Sequence, residues 1–375
     1  MKTEEIFINS ISVKEVRNIK DLDIPLSKSE RKHLIFTGKN GSGKTTLLLE
    51  LKKYLEKVFN GEYHHKAQEE TQLANLKSQS SSLDNSVPEN DSHLVRVNQN
   101  IHRISNWLKA FGEIDIDFTN NHKITNETQK GTFLIAYFDA KRAATLQIPN
   151  GITKVPLKDR YSPSEKANAA FIQYIVNMKA ERSFARDDGD NKEVARIDEW
   201  FDKFEKRLRD ILEAPHLKLV FDRKHYNFII ETEDKLPFSL TELSDGHSAI
   251  LSIVTELILR MDAIDRGNYN LQGIVLIDEI ETHIHVALQK KILPFLIDFF
   301  PNLQFIITTH SPFVLSSISN SVICDLQNKI VTQDLSGYSY DALIESYFGS
   351  DKYSQLLQEN VARYEELSKS LKNSK

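Results

Sequence analysis

A glycine-rich run near the N-terminus has the residue types and spacing of a phosphate-binding loop: Gly38, Lys39, Asn40, Gly41, Ser42, Gly43, Lys44, Thr45 and Thr46. Backbone N–H groups can surround phosphate oxygens only where side chains stay out of the way, and glycines meet that condition. In such a loop Lys44 reaches the β- and γ-phosphates, and the Thr45 hydroxyl holds Mg²⁺. The run therefore predicts a site for ATP and Mg²⁺.

The acidic partner of this loop lies more than two hundred residues downstream, in Ile274–Glu279. Its first four residues are apolar and mostly β-branched, which predicts a strand, and two carboxylates follow at the end of that strand. Such a strand places its last residues beside the phosphate loop of a parallel sheet. Asp278 suits Mg²⁺ through water, and Glu279 suits polarising the water that attacks the γ-phosphate.

Two further segments could bind phosphate. Ser244 and Gly246 precede a predicted helix, where a hydroxyl, a free backbone and a helix N-terminus together favour an anion. His310 follows a buried strand, Phe305–Thr308, and could contact and sense the γ-phosphate. We predict Lys44, Glu279 and His310 as the catalytic residues.

Hydrophobic patterning supplies the elements that position these residues. Residues 33–37 form an apolar strand that runs into the loop, and a helix follows to about Val58. The C-terminal part alternates helix 247–263, strand 273–278, helix 284–299 and strand 303–308, a βαβα run that indicates a parallel sheet.

The middle of the chain differs. Residues 60–100 are rich in Gln, Asn, Ser and Glu with sparse apolar positions, which predicts a mobile or partly helical insertion with little core. Residues 101–111 are amphipathic. Apolar residues recur at helical spacing through 164–213. This segment could be a helical hairpin with a solvated face, or a shortened coiled-coil arm that contacts a partner.

These patterns divide the chain into six segments: 1–59, an N-terminal lobe with the phosphate loop; 60–130, the polar, partly disordered insertion with strands; 131–163, a middle strand and loop; 164–215, the helical hairpin; 216–335, a C-terminal lobe; and 336–375, a helical tail.

Bulk composition is ordinary for a soluble globular protein, with 40% hydrophobic and 27% charged residues. No apolar run is long enough for a membrane helix, and a single cysteine fits a reducing cytosol, so we expect a cytoplasmic protein without a membrane partner. The net charge of −5 does not suggest a DNA coat protein, but a local basic groove could still bind nucleic acid.

In this order the four motifs resemble the ABC-type ATPase fold, and more narrowly its SMC/RecF/Rad50-like branch. Residues 277–289 and 308–312 resemble the ATPase modules of overcoming-lysogenization-defect nucleases and of anti-phage systems such as Septu and retron-associated ATPases. Residues 16–20 also resemble that branch, in which an asparagine, here Asn18, lies near the nucleotide. Residues 60–215 carry little that is specific to the family.

The resemblance implies an α/β fold, an ABC-ATPase head with a P-loop parallel sheet, an antiparallel β subdomain and a helical insertion. It also implies hydrolysis of ATP in a head-to-head homodimer. Ser244 and Gly246 of one protomer would complete the site of the other, and His310 would act in its own protomer as a switch. Residues after His310 offer no place for a nuclease centre, so we expect a separate effector, a nuclease, in anti-phage defence.

Some positions depart from the family pattern. Asp245 replaces a glycine, Val286 stands where proline is frequent, and residues 138–142 occupy the place of the expected Q-loop glutamine. Lys141 and Arg142 could there bind phosphate or DNA, or form a solvated loop. His283 and His285 could hold a metal or contact a second protomer. The rival functions are a RecF-like DNA repair ATPase that binds DNA itself, a scaffold clamped by ATP, and a transporter ATPase.

Overall fold

Three β-sheets and nine helices make up the described part of the chain. The structure is a computed structural model, and it describes residues 4–82, 88–142, 144–233, 235–339 and 363–364. The strands are β1 Ile8–Val16, β2 Ile19–Pro25, β3 His33–Thr37, β4 Ile114–Phe118, β5 Phe133–Phe138, β6 Lys218–Asp222, β7 Asn227–Glu231, β8 Phe238–Ser239, β9 Gln272–Ile277, β10 Leu303–Thr308, β11 Ser321–Asp325 and β12 Ile330–Gln333. The helices are α1 Lys44–Phe59, α2 Tyr63–Ser82, α3 Pro88–Lys109, α4 Lys123–Gln129, α5 Phe171–Asp187, α6 Asn191–Leu212, α7 Asp245–Asp262, α8 Val286–Phe299 and α9 Pro312–Leu315.

The central sheet has the strand order β12-β11-β3-β10-β9-β5. Its strand pairs are parallel except β11 with β12, which is antiparallel. β3 and β10 are buried along their whole length, as expected for strands covered on both faces. The α/β class with a parallel P-loop sheet is therefore confirmed.

Two small antiparallel sheets flank the central one, with orders β2-β1-β4 and β6-β7-β8. In β4 the buried residues Ile114, Ile116 and Phe118 alternate with exposed aspartates, because only one face of this sheet meets the core. The predicted antiparallel subdomain is thus present.

Separate hydrophobic cores lie on the two faces of the central sheet. Alternate residues of β3 point to opposite sides: Ile35 joins one core, while Leu34 and Phe36 join the other. The first core contains α5 to α8, and the second contains α1 and the β1 sheet. The phosphate loop leaves β3 between these two packed layers.

α5 and α6 form the predicted helical insertion, and they belong to the body of the protein. Phe171, Trp200 and Phe204 are buried in the first core, and the rings of Trp200 and Phe204 stack with centroids 5.3 Å apart. Since the apolar stripe faces that core, α5 and α6 form a helical hairpin that packs on the body of the protein, and contact of this hairpin with a partner stays a prediction.

The coiled-coil pattern occurs instead in α2 and α3, which pack against each other. Their less exposed residues follow heptad spacing: Leu73 and Leu76 in α2, and Leu94, Val97, Ile101, Ile104 and Leu108 in α3. These helices are more regular than the composition of residues 60–100 predicts. A narrow seam of one or two apolar residues per heptad is enough for a two-helix hairpin, although it is too sparse for a globular core.

The predicted C-terminal helical tail lies almost entirely outside the described residues. Within the described part of the chain, none of the helices combines the length and apolar character that a membrane crossing requires.

Candidate nucleotide site

The phosphate loop connects the end of β3 to the first residue of α1. Gly38, Gly41 and Gly43 have φ angles of +133°, +82° and +100°, conformations that side chains with a Cβ rarely adopt. A Cβ on Gly43 would lie 3.0 Å from the side chain of Ile19 and 3.4 Å from Asn18 Oδ1. The loop therefore needs its glycines, and Asn18 lies against it, as the sequence predicts.

Lys44 and Ser42 have environments that fit a bound anion. Lys44 is buried, and its ammonium donates to Gly38 O at 2.9 Å and to Lys39 O at 3.3 Å. Burial lowers the pKa of Lys44, while the surrounding carboxylates oppose that shift. Among the described residues, Ser42 Oγ is one of the few buried side-chain oxygens without a hydrogen-bond partner. A phosphate would satisfy both groups.

The two ends of the chain meet at Thr45 and Asp278. The Thr45 hydroxyl lies 3.1 and 3.0 Å from the two carboxylate oxygens of Asp278 across 233 positions of sequence. Hydroxyl and carboxylate oxygens are the donors that Mg²⁺ prefers. The residues present thus fit the predicted metal pair, in which Thr45 and Asp278 would hold Mg²⁺.

The turn after β9 carries Glu279 in an uncommon backbone conformation. Its φ is +44°, although it is not glycine. Its N–H donates to Thr308 Oγ at 2.7 Å, and the Thr308 hydroxyl donates to Asp278 Oδ1 at 2.6 Å. The buried Thr308 hydroxyl therefore links Asp278, the predicted metal ligand, to Glu279, the predicted base.

Arg142 occupies the place of the expected Q-loop, and its side chain points inward. It is 5% exposed, and its guanidinium donates to the backbone oxygens of Asp278 (2.7 Å), Glu279 (3.0 Å) and Ile280 (2.7 Å). Burial lowers the pKa of Arg142 to about 10, which leaves it charged at neutral pH. The alternatives of DNA binding, phosphate binding and a solvated loop are therefore wrong for Arg142. Lys141 is exposed, and its role stays a prediction.

His310 lies in the same charged environment as Lys44 and the carboxylates. Its backbone N–H donates to Glu281 Oε1 at 2.5 Å, and the Thr309 hydroxyl donates to Glu281 Oε2 at 2.8 Å. Burial, then the charge of Lys44, lowers the pKa of His310, while the nearby carboxylates oppose that shift. Sequence reasoning did not assign Glu281 to this site; its position two residues after Glu279 was the available signal.

Ser244 and Gly246 lie at the start of α7, away from the phosphate loop. The exposed Ser244 hydroxyl is 2.8 Å from His247 Nδ1, and both residues line a cavity of about 340 Å³ whose lining includes no residue of the phosphate loop. A Cβ on Gly246 would lie 2.8 Å from His283 O, so this position has no room for a side chain. His285 caps α8, with Nδ1 accepting from the Ala287 N–H at 3.4 Å.

The remaining predicted residues lie at the rim. Lys39 and Asn40 are exposed at the tip of the loop, and Thr46 lines a cleft together with Arg17. The structure thus brings together Lys44, Thr45, Asp278, Glu279 and His310, as their electrostatic interactions show. The predicted signature residues lie on a different surface.

Residues 34–316, which span this site, match the family model described as "AAA domain, putative AbiEii toxin, Type IV TA system". The chain belongs to this AAA-domain family. Its matched region begins in β3 and ends just after α9, so the phosphate loop, the acidic turn and the His310 segment are all family elements.

Curated proteins similar to this AAA-domain chain come from retrons and from Septu. It is 24% identical to "Retron Vc95 probable ATPase" of Vibrio cholerae serotype O1 biovar El Tor, over 85% of this chain and 73% of that protein. It is 35% identical to "Retron Ec83 probable ATPase" of Escherichia coli over 35% of this chain. It is 37% identical to "Septu protein PtuA" of Bacillus mycoides (strain KBAB4) over 29% of this chain. The alignments cover 26% and 16% of the last two proteins.

Solved structures similar to the chain include SMC head domains. The SMC head bound to the C-winged helix domain of ScpA has a TM-score of 0.40 at 11% identity, over 87% of this chain and 96% of that one. The SMC head domain from Thermotoga maritima has a TM-score of 0.38 at 12% identity, over 87% and 97% of the two chains.

Proposed function

We propose that this protein is an ATPase that binds ATP with Mg²⁺ between β3 and α1, dimerises around the nucleotide, and controls a separate effector in anti-phage defence. The observation that carries the ATPase assignment is the contact of Thr45 with Asp278. Two segments far apart in sequence come together as a hydroxyl and a carboxylate beside a phosphate loop. This is the arrangement that phosphoryl transfer to water requires.

The chain's own residues would divide the chemistry among them. The loop N–H groups and Lys44 bind the phosphates and offset their charge. Glu279 orients the attacking water and accepts its proton, and His310 contacts the γ-phosphate. Bound Mg²⁺ would supply further charge neutralisation, held by Thr45 and Asp278.

The position of Ser244 and Gly246 supports a composite site. They lie at the N-terminus of an 18-residue helix, which favours an anion, and Ser244 lines a cavity without phosphate-loop residues. A second copy that presents this surface to the loop would enclose the γ-phosphate from the other side.

The defence role is supported by the similarity to retron and Septu proteins. We propose a nuclease as the effector, with closure of the ATP-bound dimer as the signal that it receives.

Replacement of the predicted base gives the first test. Glu279→Gln should retain ATP binding, lower hydrolysis by about 100-fold or more, and shift the protein to a dimer with ATP, measured by phosphate release and light scattering. Unchanged hydrolysis would overturn the assignment of Glu279.

Replacement of the signature serine tests the composite site. Ser244→Arg should abolish hydrolysis and the ATP-dependent dimer while ATP affinity stays nearly unchanged, because Ser244 lies outside the site of its own chain. Ala195→Arg, an exposed change on α6 that also adds one positive charge, provides a charge-matched control. Normal turnover by Ser244→Arg would exclude a site shared between two copies.

A further inference from the structure

The backbone at Glu279 is strained, and the surrounding residues must hold it. A non-glycine residue with φ of +44° is unfavourable and persists only where neighbouring groups hold it in place. A relaxed turn would carry the carboxylate of Glu279 in another direction. The groups that bind the backbone around Glu279 therefore help to decide where this side chain points, together with the Thr282 hydroxyl, which donates to Glu279 Oε2 at 3.3 Å.

Thr308 holds the peptide unit that precedes Glu279. Its side chain is fully buried at the end of β10, and its hydroxyl accepts from the Glu279 N–H at 2.7 Å while donating to Asp278 Oδ1 at 2.6 Å. A hydroxyl has one proton to donate, and here it is given to the carboxylate that would face Mg²⁺. Both functions of the hydroxyl are thus used, and they join Asp278 to Glu279.

Arg142 binds backbone carbonyl oxygens on both sides of Glu279. One guanidinium nitrogen, Nη2, donates to the oxygens of Glu279 and Ile280, while Nη1 donates to the oxygens of Asp278 and Asp139. A planar fork can bind several carbonyls at fixed angles, which the single ammonium of a lysine cannot reproduce. The same loop also contacts α7, where the Ala144 N–H donates to Ser248 Oγ at 3.1 Å.

We propose that Thr308 and Arg142 are positioning residues, which together lock the backbone of Glu279 in its left-handed conformation and aim its carboxylate at the attacking water. This inference rests on the proposed function, because it takes Glu279 as the base. Neither residue touches the nucleotide in this role; each acts through Glu279.

Replacement of Thr308 by valine tests whether the Thr308 hydroxyl positions Glu279. Thr308→Val keeps the branched shape and removes the hydroxyl, and Thr308→Ser keeps the hydroxyl as the matched control. We expect kcat to fall about 100-fold in Thr308→Val, since small misplacements of a reacting group cost about that much. Thr308→Ser should stay within about fivefold of the parent. The Kd of a fluorescent ATP analogue should change by less than about threefold in both.

A double variant shows whether Thr308 acts through Glu279. When Glu279 is already glutamine, loss of the Thr308 hydroxyl should reduce hydrolysis by no more than about threefold, because residues that act as one unit are not additive. A further 100-fold loss would mean that Thr308 acts through Asp278 alone, which would overturn the proposal.

The arginine gives an independent test. Arg142→Lys and Arg142→Ala should both lower kcat about 100-fold with ATP binding retained, and added guanidinium ion should restore a measurable part of the turnover of Arg142→Ala only. If Thr308→Val fails to fold by circular dichroism, these variants decide the question. Normal turnover in Arg142→Lys, or no recovery with guanidinium, would overturn the role of Arg142.

A comparison of the parent with Glu279→Gln shows whether the proposed function or only the positioning inference has failed. If neither hydrolyses ATP, the proposed function is wrong, and if both hydrolyse it equally, the assignment of Glu279 as the base is wrong. If Glu279→Gln is impaired while Thr308→Val and Arg142→Lys are normal, the function stands and the positioning inference alone is wrong.

Discussion

Removal of Arg260 should destabilise the protein more than any surface change, because Arg260 forms a buried ion pair that anchors α7. Its Nε lies 2.8 Å from Glu256 Oε1, and both side chains are less than 5% exposed. Glu256 Oε2 also accepts the N–H groups of Ala167 (2.6 Å) and Asn168 (2.8 Å). The Arg260 guanidinium donates to backbone oxygens of β5 and of the segment before α5: Ile135, Tyr161, Ser162 and Glu165.

The size of the effect follows from these contacts. Arg260→Met keeps the apolar stem but leaves Glu256 as a buried charge without its cation, a change that costs about 3–5 kcal/mol. Several of the carbonyls lose their donor as well, so we expect the upper part of this range. Urea denaturation followed by circular dichroism, with the m-value held constant, measures the loss in the free energy of unfolding.

A double-mutant cycle isolates the pair. In Glu256→Gln, the amide oxygen can still accept from Ala167 and Asn168, and the amide nitrogen takes the position that faces Arg260. With methionine at 260 this nitrogen no longer meets a cation. The double variant should therefore be at least about 2 kcal/mol more stable than the sum of the single effects predicts.

An exposed pair serves as the control. Arg182 and Asp198 form a bidentate contact with side chains 32% and 40% exposed. Arg182→Met should cost less than about 1 kcal/mol, because solvent screens surface pairs. If Arg260→Met also costs less than about 1 kcal/mol, or if the double variant is additive, the reasoning about burial is refuted.

Two further changes test packing and ionisation. Gly273→Ala should lower the free energy of unfolding by about 1–3 kcal/mol, because the added Cβ would lie 2.4 Å from Leu134 O. Gly151→Ala is the control: its Cβ would meet nothing within 4 Å, so the free energy of unfolding should change by less than about 0.5 kcal/mol. Equal losses for the two variants in urea denaturation would contradict this prediction. Burial raises the pKa of Asp262 to about 6, so the folded state binds a proton more tightly than the unfolded chain, and stability falls as pH rises from about 4 to about 6. The stability advantage of the parent over Asp262→Asn should shrink by roughly 2 kcal/mol between pH 4 and 7, and a constant difference would exclude this ionisation.

Sequence reasoning found the residues of the nucleotide site because their chemistry is local. A glycine loop between a strand and a helix, or two carboxylates after an apolar strand, can be recognised within ten residues. The structure places the phosphate loop against Asp278, Glu279 and His310, which agrees with the order of the motifs. Their catalytic roles stay predictions.

The residues that hold the site could not be found in this way. Arg142 and Thr308 act through backbone groups, and backbone acceptors leave no pattern of side chains in the sequence. The sequence suggested a coiled-coil arm only as the alternative for residues 164–213, and it did not indicate one in α2 and α3, because the apolar stripe of α6 is stronger than their seam. Which stripe faces a core and which faces one other helix depends on tertiary packing, which periodicity alone does not report.

The strand order of the central sheet has a consequence for biosynthesis. β3 lies between β10 and β11, and its His33 accepts the Phe305 N–H across 272 positions, while the Ile8 N–H donates to Gln304 across 296 positions. At roughly 5–20 residues per second, the first strands would wait roughly 15–55 s on the ribosome for their neighbours. During that time the phosphate loop has no sheet to hold it. A chain that lacks β10 and β11 is thus unable to build the proposed nucleotide site.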